Sequence, residues 1–199
     1  MTRLLKQQVV GAHVRRLRVQ RGLSLRALAK LTGFSASFMS QVENGHVSPS
    51  IGSMEKTAAA LGVTLGQFFE AVSGGREGSI VRADDRQALS SGWSNAEIEA
   101  LGLPDPAARL DAILITLRPG GRSGKHPSAH RREEFAFVLQ GRVVLTLGPE
   151  EHRLRRGDAA RILPGELHLW RNEARGPARV MIVTSSVTGA RQRGRLPLA

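Results

Sequence analysis

Residues 22–45 read GLSLRALAKLTGFSASFMSQVENG, and the reading of this stretch decides the N-terminal fold. Ser24 is a hydroxyl cap ahead of a helix-forming run through Leu31. Gly33 can take the left-handed conformation that closes that helix, and Ser35 caps the next one. The spacing therefore predicts two short helices joined by a tight turn. In the second helix Phe38, Met39 and Val42 fall on one face, and Ala36, Ser37, Ser40 and Gln41 share the other.

That outer face is small, polar and uncharged. An ordinary surface helix carries Lys and Glu there, because charge is cheap in water. Short side chains instead let a helix sink into a major groove and bring hydrogen-bonding atoms to base edges. The plain alternative is a capped helical hairpin in a small bundle, and the flanking residues favour the DNA reading over it.

Residues 14–69 resemble the phage-repressor and XRE family of helix-turn-helix domains, with about five helices and Glu43, Asn44 and Gly45 closing the recognition helix. The resemblance implies an internal pair between Arg18 and Glu43. It places base-reading positions at Ala36, Ser37 and Gln41, with Leu25 at the first position of the preceding helix, and Ser40 lies on the same outer face. It places phosphate contacts at Ser24, Ser35 and Asn44, with His46 and Ser48 in the next loop. Gln41 is the best single reader, since an amide can pair with both N7 and N6 of adenine, whereas Ala36 offers only a methyl and Ser37 a hydroxyl.

Length and charge agree. The 199 residues suffice for two modest domains, each with its own core, and carry 29 Lys or Arg against 17 Asp or Glu, a net charge of +12. Residues 1–72 hold nine basic residues and three acids, the remainder twenty and fourteen, so each part is +6. A basic reader is steered to DNA and gains affinity by releasing counterions. Of the 29 basic residues 25 are Arg, a bias that genome composition alone can also produce. The absence of Cys excludes disulfides, thiolate metal sites and a thiol nucleophile. No apolar run approaches a membrane span, and the first twenty residues have charges too evenly spaced for a signal peptide, so a cytoplasmic location and no membrane partner are expected.

A fourth helix is expected to begin after Pro49 and Ser50 and run to Leu61, with a short fifth containing Phe68 and Phe69. Residues 73–78, SGGREG, form a glycine-rich joint. This gives a DNA-binding head over 1–72, a linker over 73–78, a β domain over 79–187 and a disordered basic tail over 188–199. In the β domain, runs such as LDAILITL, EFAFVL, RVVLTL and ARVMIVT are short, β-branched or aromatic, and bounded by Gly, Pro and Asp, the pattern of a sandwich or barrel.

Within it, His130 is followed by Glu134 and Gly141, and Gly157 by Gly165, His168 and Asn172. These spacings resemble the two motifs of the cupin family, an all-β jelly-roll barrel. Ser128 stands where the family has its first histidine, and Pro164 is one place later than expected. Two imidazoles and one carboxylate, His130, Glu134 and His168, suffice to hold a divalent ion such as Fe or Zn; His126 could join only from a loop. The favoured alternative is a polar barrel mouth without metal, whose His130, Glu134 and His168 hydrogen-bond each other or an organic effector; Ser128 and Trp170 belong to the same effector pocket, and Trp170 reads equally as a large core aromatic. If Glu134 points inward, Phe135, Phe137 and Leu139 face outward and need a cover, which suggests a homodimer.

These readings imply a two-domain regulator, repressor rather than activator, that binds double-stranded DNA at an imperfect palindrome and senses a small-molecule effector, with no catalytic residues. The alternative is a metal-dependent oxidoreductase. Hydroxypropylphosphonate epoxidase has a similar layout with iron ligands matching His130, Glu134 and His168, though this chain lacks Tyr altogether.

Overall fold

The computed structural model describes residues 3–4, 7–65, 68, 80–91, 94–102, 110–130 and 132–185. Four helices with complete bounds form the head: α1 (Gln7–Gln20), α2 (Leu25–Thr32), α3 (Ala36–Glu43) and α4 (Ile51–Ala60). That is one fewer than expected. Leu65 and Phe68 are helical where the fifth helix was placed, and the rest of that segment, Phe69 included, lies outside the described residues.

Local chemistry sets these boundaries. The hydroxyl oxygens of Ser24, Ser35 and Ser50 accept from the backbone N–H of Ala27, Phe38 and Ser53, giving each helix start a partner for one of its free donors. Gly33, at φ 72°, ends α2 in the left-handed conformation, its N–H donating to the Ala29 carbonyl. Val10 and Val14 of α1, Leu28 of α2, Met39 and Val42 of α3, and Met54 and Ala58 of α4 supply the buried centre of the head. Helices α1 and α3 approach closely because Gly11 lacks a side chain: a Cβ there would lie 2.3 Å from the Val42 carbonyl oxygen.

The second half is a β-sandwich of two unequal sheets. The larger has the order β1-β2-β3-β4-β10-β5-β8 and the smaller β7-β6-β9. Their strands are β1 (Arg3–Leu4), β2 (Gln87–Ser91), β3 (Ala96–Ala100), β4 (Leu110–Leu117), β5 (Glu134–Gln140), β6 (Arg142–Leu147), β7 (Glu150–Arg155), β8 (Ala159–Ile162), β9 (His168–Arg171) and β10 (Ala178–Ser185). Period-two alternation points Ala136 and Val138 of β5 and Val180 and Ile182 of β10 into the interior, where Leu145 and Trp170 of the smaller sheet meet them. Phe135 and Leu139 point outward and are 48% and 40% exposed, while Phe137 is half-buried.

Two findings differ from a head and barrel that stand apart. Strand β1, at the start of the head's stretch of sequence, pairs in parallel with β2 on the barrel sheet. The buried apolar side chains of the two halves form one continuous cluster rather than two separate cores. The linker over 73–78 and the tail over 188–199 lie outside the described residues.

Candidate functional site

Two surfaces carry chemistry. The first is α3. Met39 and Val42 anchor one side of it in the core, which leaves Ser37 and Gln41 exposed and Ala36 and Ser40 half-exposed on the other. Leu25 is half-buried beside them at the start of α2. No charged side chain interrupts this face until Glu43, which is turned inward and buried. Ser24, Ser35, Asn44 and His46 are exposed around its rim. The Ser24 and Ser35 oxygens accept cap hydrogen bonds and keep their own O–H to donate. Ser48 is placed differently: its hydroxyl donates to the Ser90 carbonyl of the barrel at 3.2 Å.

Behind α3, the Arg18 guanidinium meets Glu43 bidentately, Nε to Oε1 at 2.6 Å and Nη2 to Oε2 at 2.9 Å, while Nη1 donates to the Leu23 carbonyl at 2.8 Å. This pair joins α1 to the end of α3 and the turn before α2, so it fixes the tilt of the exposed face.

The second surface is one end of the barrel. His130 lies in the loop before β5, Glu134 begins β5, and His168 begins β9 in the opposite sheet, so the two sheets meet through these three side chains. One ligating atom from each lies within 4.8 Å of the others. Glu134 Oε2 is 3.6 Å from His168 Nε2, Glu134 Oε1 is 4.0 Å from His130 Nε2, and the two imidazoles stand edge to face at 4.9 Å. Both His130 Nε2 and Glu134 Oε2 are buried without an aligned hydrogen-bond partner.

A fourth side chain reaches this end from the head. Glu55 of α4 places Oε2 3.1 Å from His130 Nε2, close enough for an ion pair though not aligned as a hydrogen bond. Burial alone would lower the His130 pKa, but the Glu55 charge, with Glu134 behind it, raises it to about 9. Burial works against the Glu55 carboxylate too, and the His130 imidazolium outweighs it and holds Glu55 below the usual carboxylate range. Burial and the charge of Glu55 push Glu134 up to about 7. Burial and the neighbouring His130 lower His168. At neutral pH the mouth thus holds an ion pair across the two halves and a neutral imidazole, beside a Glu134 carboxyl that burial and Glu55 make easier to protonate.

A cavity of about 380 Å³ opens here, lined by His130 and Glu134 together with Glu55, Asp111, Arg132 and Thr184. Of the five residues expected to form an effector pocket, His130 and Glu134 line this cavity and His168 adjoins them. Ser128 faces another cleft, where the barrel meets Phe34, Phe38 and Gly52 of the head. Trp170 is 1% exposed in the barrel interior, and its indole N–H has no partner. His126 is exposed. Asn172 secures the turn after β9, its amide donating to the carbonyls of Leu117 and Gly176. Sequence reasoning missed Glu55, whose signal was its position as the one acid of α4 in a head with three acids.

A sequence model described as a helix-turn-helix domain matches residues 9–67, and one described as a cupin domain matches residues 113–184. The chain is 29% identical over 178 residues to the HTH-type transcriptional regulator PuuR of Escherichia coli, covering 89% of this chain and 95% of that protein. It is 27% identical over 159 residues to the HTH-type transcriptional regulator SutR of the same organism, covering 80% and 84%. A crystal structure of an HTH_3 family transcriptional regulator from Vibrio cholerae superimposes with a TM-score of 0.70 at 24% identity, covering 90% of this chain and 96% of that one, and so shares the fold.

Proposed function

From the premise that the chain joins an N-terminal helix-turn-helix domain to a C-terminal cupin domain, we propose that it is a sequence-specific DNA-binding transcription regulator whose barrel senses a small ligand. The observation that carries this reading is the exposed, uncharged face of α3, with Gln41 at its centre and polar groups at its rim. Its relatives PuuR and SutR, both HTH-type transcriptional regulators, support it. Gln41 pairs with a base edge, Ala36, Ser37, Ser40 and Leu25 shape the contact, and Ser24, Ser35, Asn44 and His46 hold phosphates. Ser48, engaged with Ser90, is the weakest of the phosphate candidates.

The protein acts as a homodimer on an imperfect palindrome, one α3 in each half-site. Support comes from Phe135 and Leu139, whose exposed side chains on one face of β5 would be covered by a second copy. Sedimentation equilibrium at micromolar concentration should give a dimer, and a monomer would remove the palindrome from the reading. Repression is the simpler output, because it requires only occupancy. The protein works in the cytoplasm, in keeping with the absence among the described residues of any helix long and apolar enough to cross a membrane.

The ligand site is the cavity at the barrel mouth. A divalent ion such as iron or zinc fits the donor set: His130, Glu134 and His168 are grouped tightly enough to share it, and the buried Glu134 Oε2 has no hydrogen-bond partner. The ion would supply a fixed charge for an effector to meet. Selection of duplexes from a random pool by the purified chain tests the regulator reading. An enriched motif whose affinity falls steeply with salt is expected; equal retention of all sequences at moderate ionic strength would overturn it and favour the enzymatic alternative.

A further inference from the structure

One loop of the barrel, residues 123–128, lies against the reading head. It is pinned to β9 at both ends: the Ser123 N–H donates to the Trp170 carbonyl at 2.9 Å, and the Ser128 N–H to the His168 carbonyl at 3.0 Å. From the head, the Gly52 N–H in the first turn of α4 donates to the Ser123 carbonyl at 3.1 Å. The approach is close enough that a Cβ on Gly52 would stand 3.3 Å from the Ser128 hydroxyl oxygen. The middle of the loop, with Lys125 and His126, is thereby fixed in place beside the head.

Between this loop and the head runs a cleft of about 420 Å³. Lys125 and His126 line it from the barrel, Lys56 of α4 and the hydroxyl residues Ser35 and Ser48 line it from the head, and no acid lines it among the described residues. Lys56, Lys125 and His126 are exposed. The Lys56 Nζ lies 6.0 Å from the centre of the Phe34 ring, next in sequence to the Ser35 cap of α3. Two ammonium groups, an imidazole and hydroxyls, with no carboxylate among them, complement an oxyanion. Ser35 belongs both to this cleft and to the rim of the face that α3 exposes, so a duplex entered by α3 would carry its phosphates past the cleft.

We propose that Lys125 and His126 of the barrel, with Lys56 of α4, contact the phosphate backbone of the duplex that α3 reads, so that the DNA interface extends from the head onto the barrel. This rests on the DNA-binding function proposed above. The contacts carry no base preference; they raise affinity by releasing counterions and fix how the barrel sits on the duplex. His130 of the barrel mouth follows the same loop in sequence, so a ligand there that shifts the loop would act on DNA through contacts of the barrel's own.

The test is fluorescence anisotropy of the full chain on labelled duplexes at stepped salt concentrations. Lys125→Ala should weaken binding roughly 8-fold at about 0.1 M salt for each copy bound, and lower the slope of log affinity against log salt by about 1. The loss should be equal on preferred and scrambled duplexes. Lys56→Ala should behave likewise, and Lys125→Arg should keep the wild-type slope. Arg153→Ala makes the same charge change at an exposed position of β7, the far edge strand of the smaller sheet, and should leave the slope unaltered. Matching melting curves establish that the variants are folded. Wild-type slopes in both Lys125→Ala and Lys56→Ala would overturn the proposal, as would an equal fall in Arg153→Ala, the sign of a general charge effect. Stabilisation of wild type by inorganic phosphate that is lost in Lys125→Ala, with no change in its DNA slope, would also overturn it and assign the cleft to a free anion. Phosphate contacts register on any duplex. A wild type without sequence preference would therefore defeat the regulator reading, while the slopes would still decide whether the barrel touches the backbone.

Discussion

The head and the barrel each bury an ionisable cluster, and the two treat it in opposite ways. In the head, Glu43 is 7% exposed and both of its oxygens are taken by Arg18, whose remaining fork reaches a backbone carbonyl. At the barrel mouth, Glu134 is equally buried, but its contacts to the two imidazoles are long, 3.6 and 4.0 Å, and its Oε2 has no hydrogen-bond partner. A buried charge with its partners in place holds elements together. One without them costs stability, and a fold retains it where a ligand can supply what is missing. The difference separates a residue pair that builds the molecule from the group that the proposed function assigns to ligand binding.

The largest effect should come from breaking the satisfied pair. Arg18→Ala strands Glu43 in the interior and should cost the head about 3 kcal/mol, seen as a lower or separate first transition in calorimetry. Unchanged melting would mean that Glu43 does not depend on Arg18 for its burial. On the DNA side, Gln41→Ala should weaken binding to the preferred site by about 1–3 kcal/mol and relax preference at one base position, measured by fluorescence anisotropy on single-base variants. Equal weakening on every duplex would show that Gln41 does not read sequence.

A smaller contrast concerns acid. His13 is buried in the head against Phe68, ring centroids 4.7 Å apart, and its Nδ1 lies 2.6 Å from an Arg16 nitrogen. Burial, reinforced by the Arg16 charge, lowers its pKa to about 4 from an ordinary 6.5. The unfolded chain therefore binds the proton more readily, so this contribution is fully present above pH 6.5 and is lost as pH falls toward 4. Urea melts of the full chain across that range should show the head weakening with acid, and His13→Gln should flatten the slope. An unaltered slope in the variant would assign the acid response elsewhere.

How much of this was legible in the sequence follows the range of the forces involved. The caps at Ser24, Ser35 and Ser50 and the glycine at 33 act within a turn of themselves, so the starts of α2, α3 and α4 could be read from neighbouring residues. The alternation that buries Ala136 and Val138 while exposing Phe135 and Leu139 is equally local. What sequence could not give is whatever depends on one half meeting the other. Glu55 reads as an ordinary surface acid in IGSMEKTAAA until α4 is laid over the barrel. The hydroxyl of Ser48 reads as a phosphate donor until Ser90 is beside it. Trp170 reads as a cavity wall or as core with equal ease, because period two tells inward from outward but not what the interior contains. The expectation of two separate cores failed for the same reason, since only tertiary packing joins the apolar faces into one cluster.

The most direct test of the contrast is calorimetric unfolding of Glu134→Gln, in chelator and beside Arg18→Ala. Neutralising a carboxyl that lacks partners should leave the barrel as stable as wild type or up to about 1 kcal/mol more so. A loss as large as that of Arg18→Ala would mean that the barrel-mouth cluster holds the fold together as the head's ion pair does, and would contradict the account.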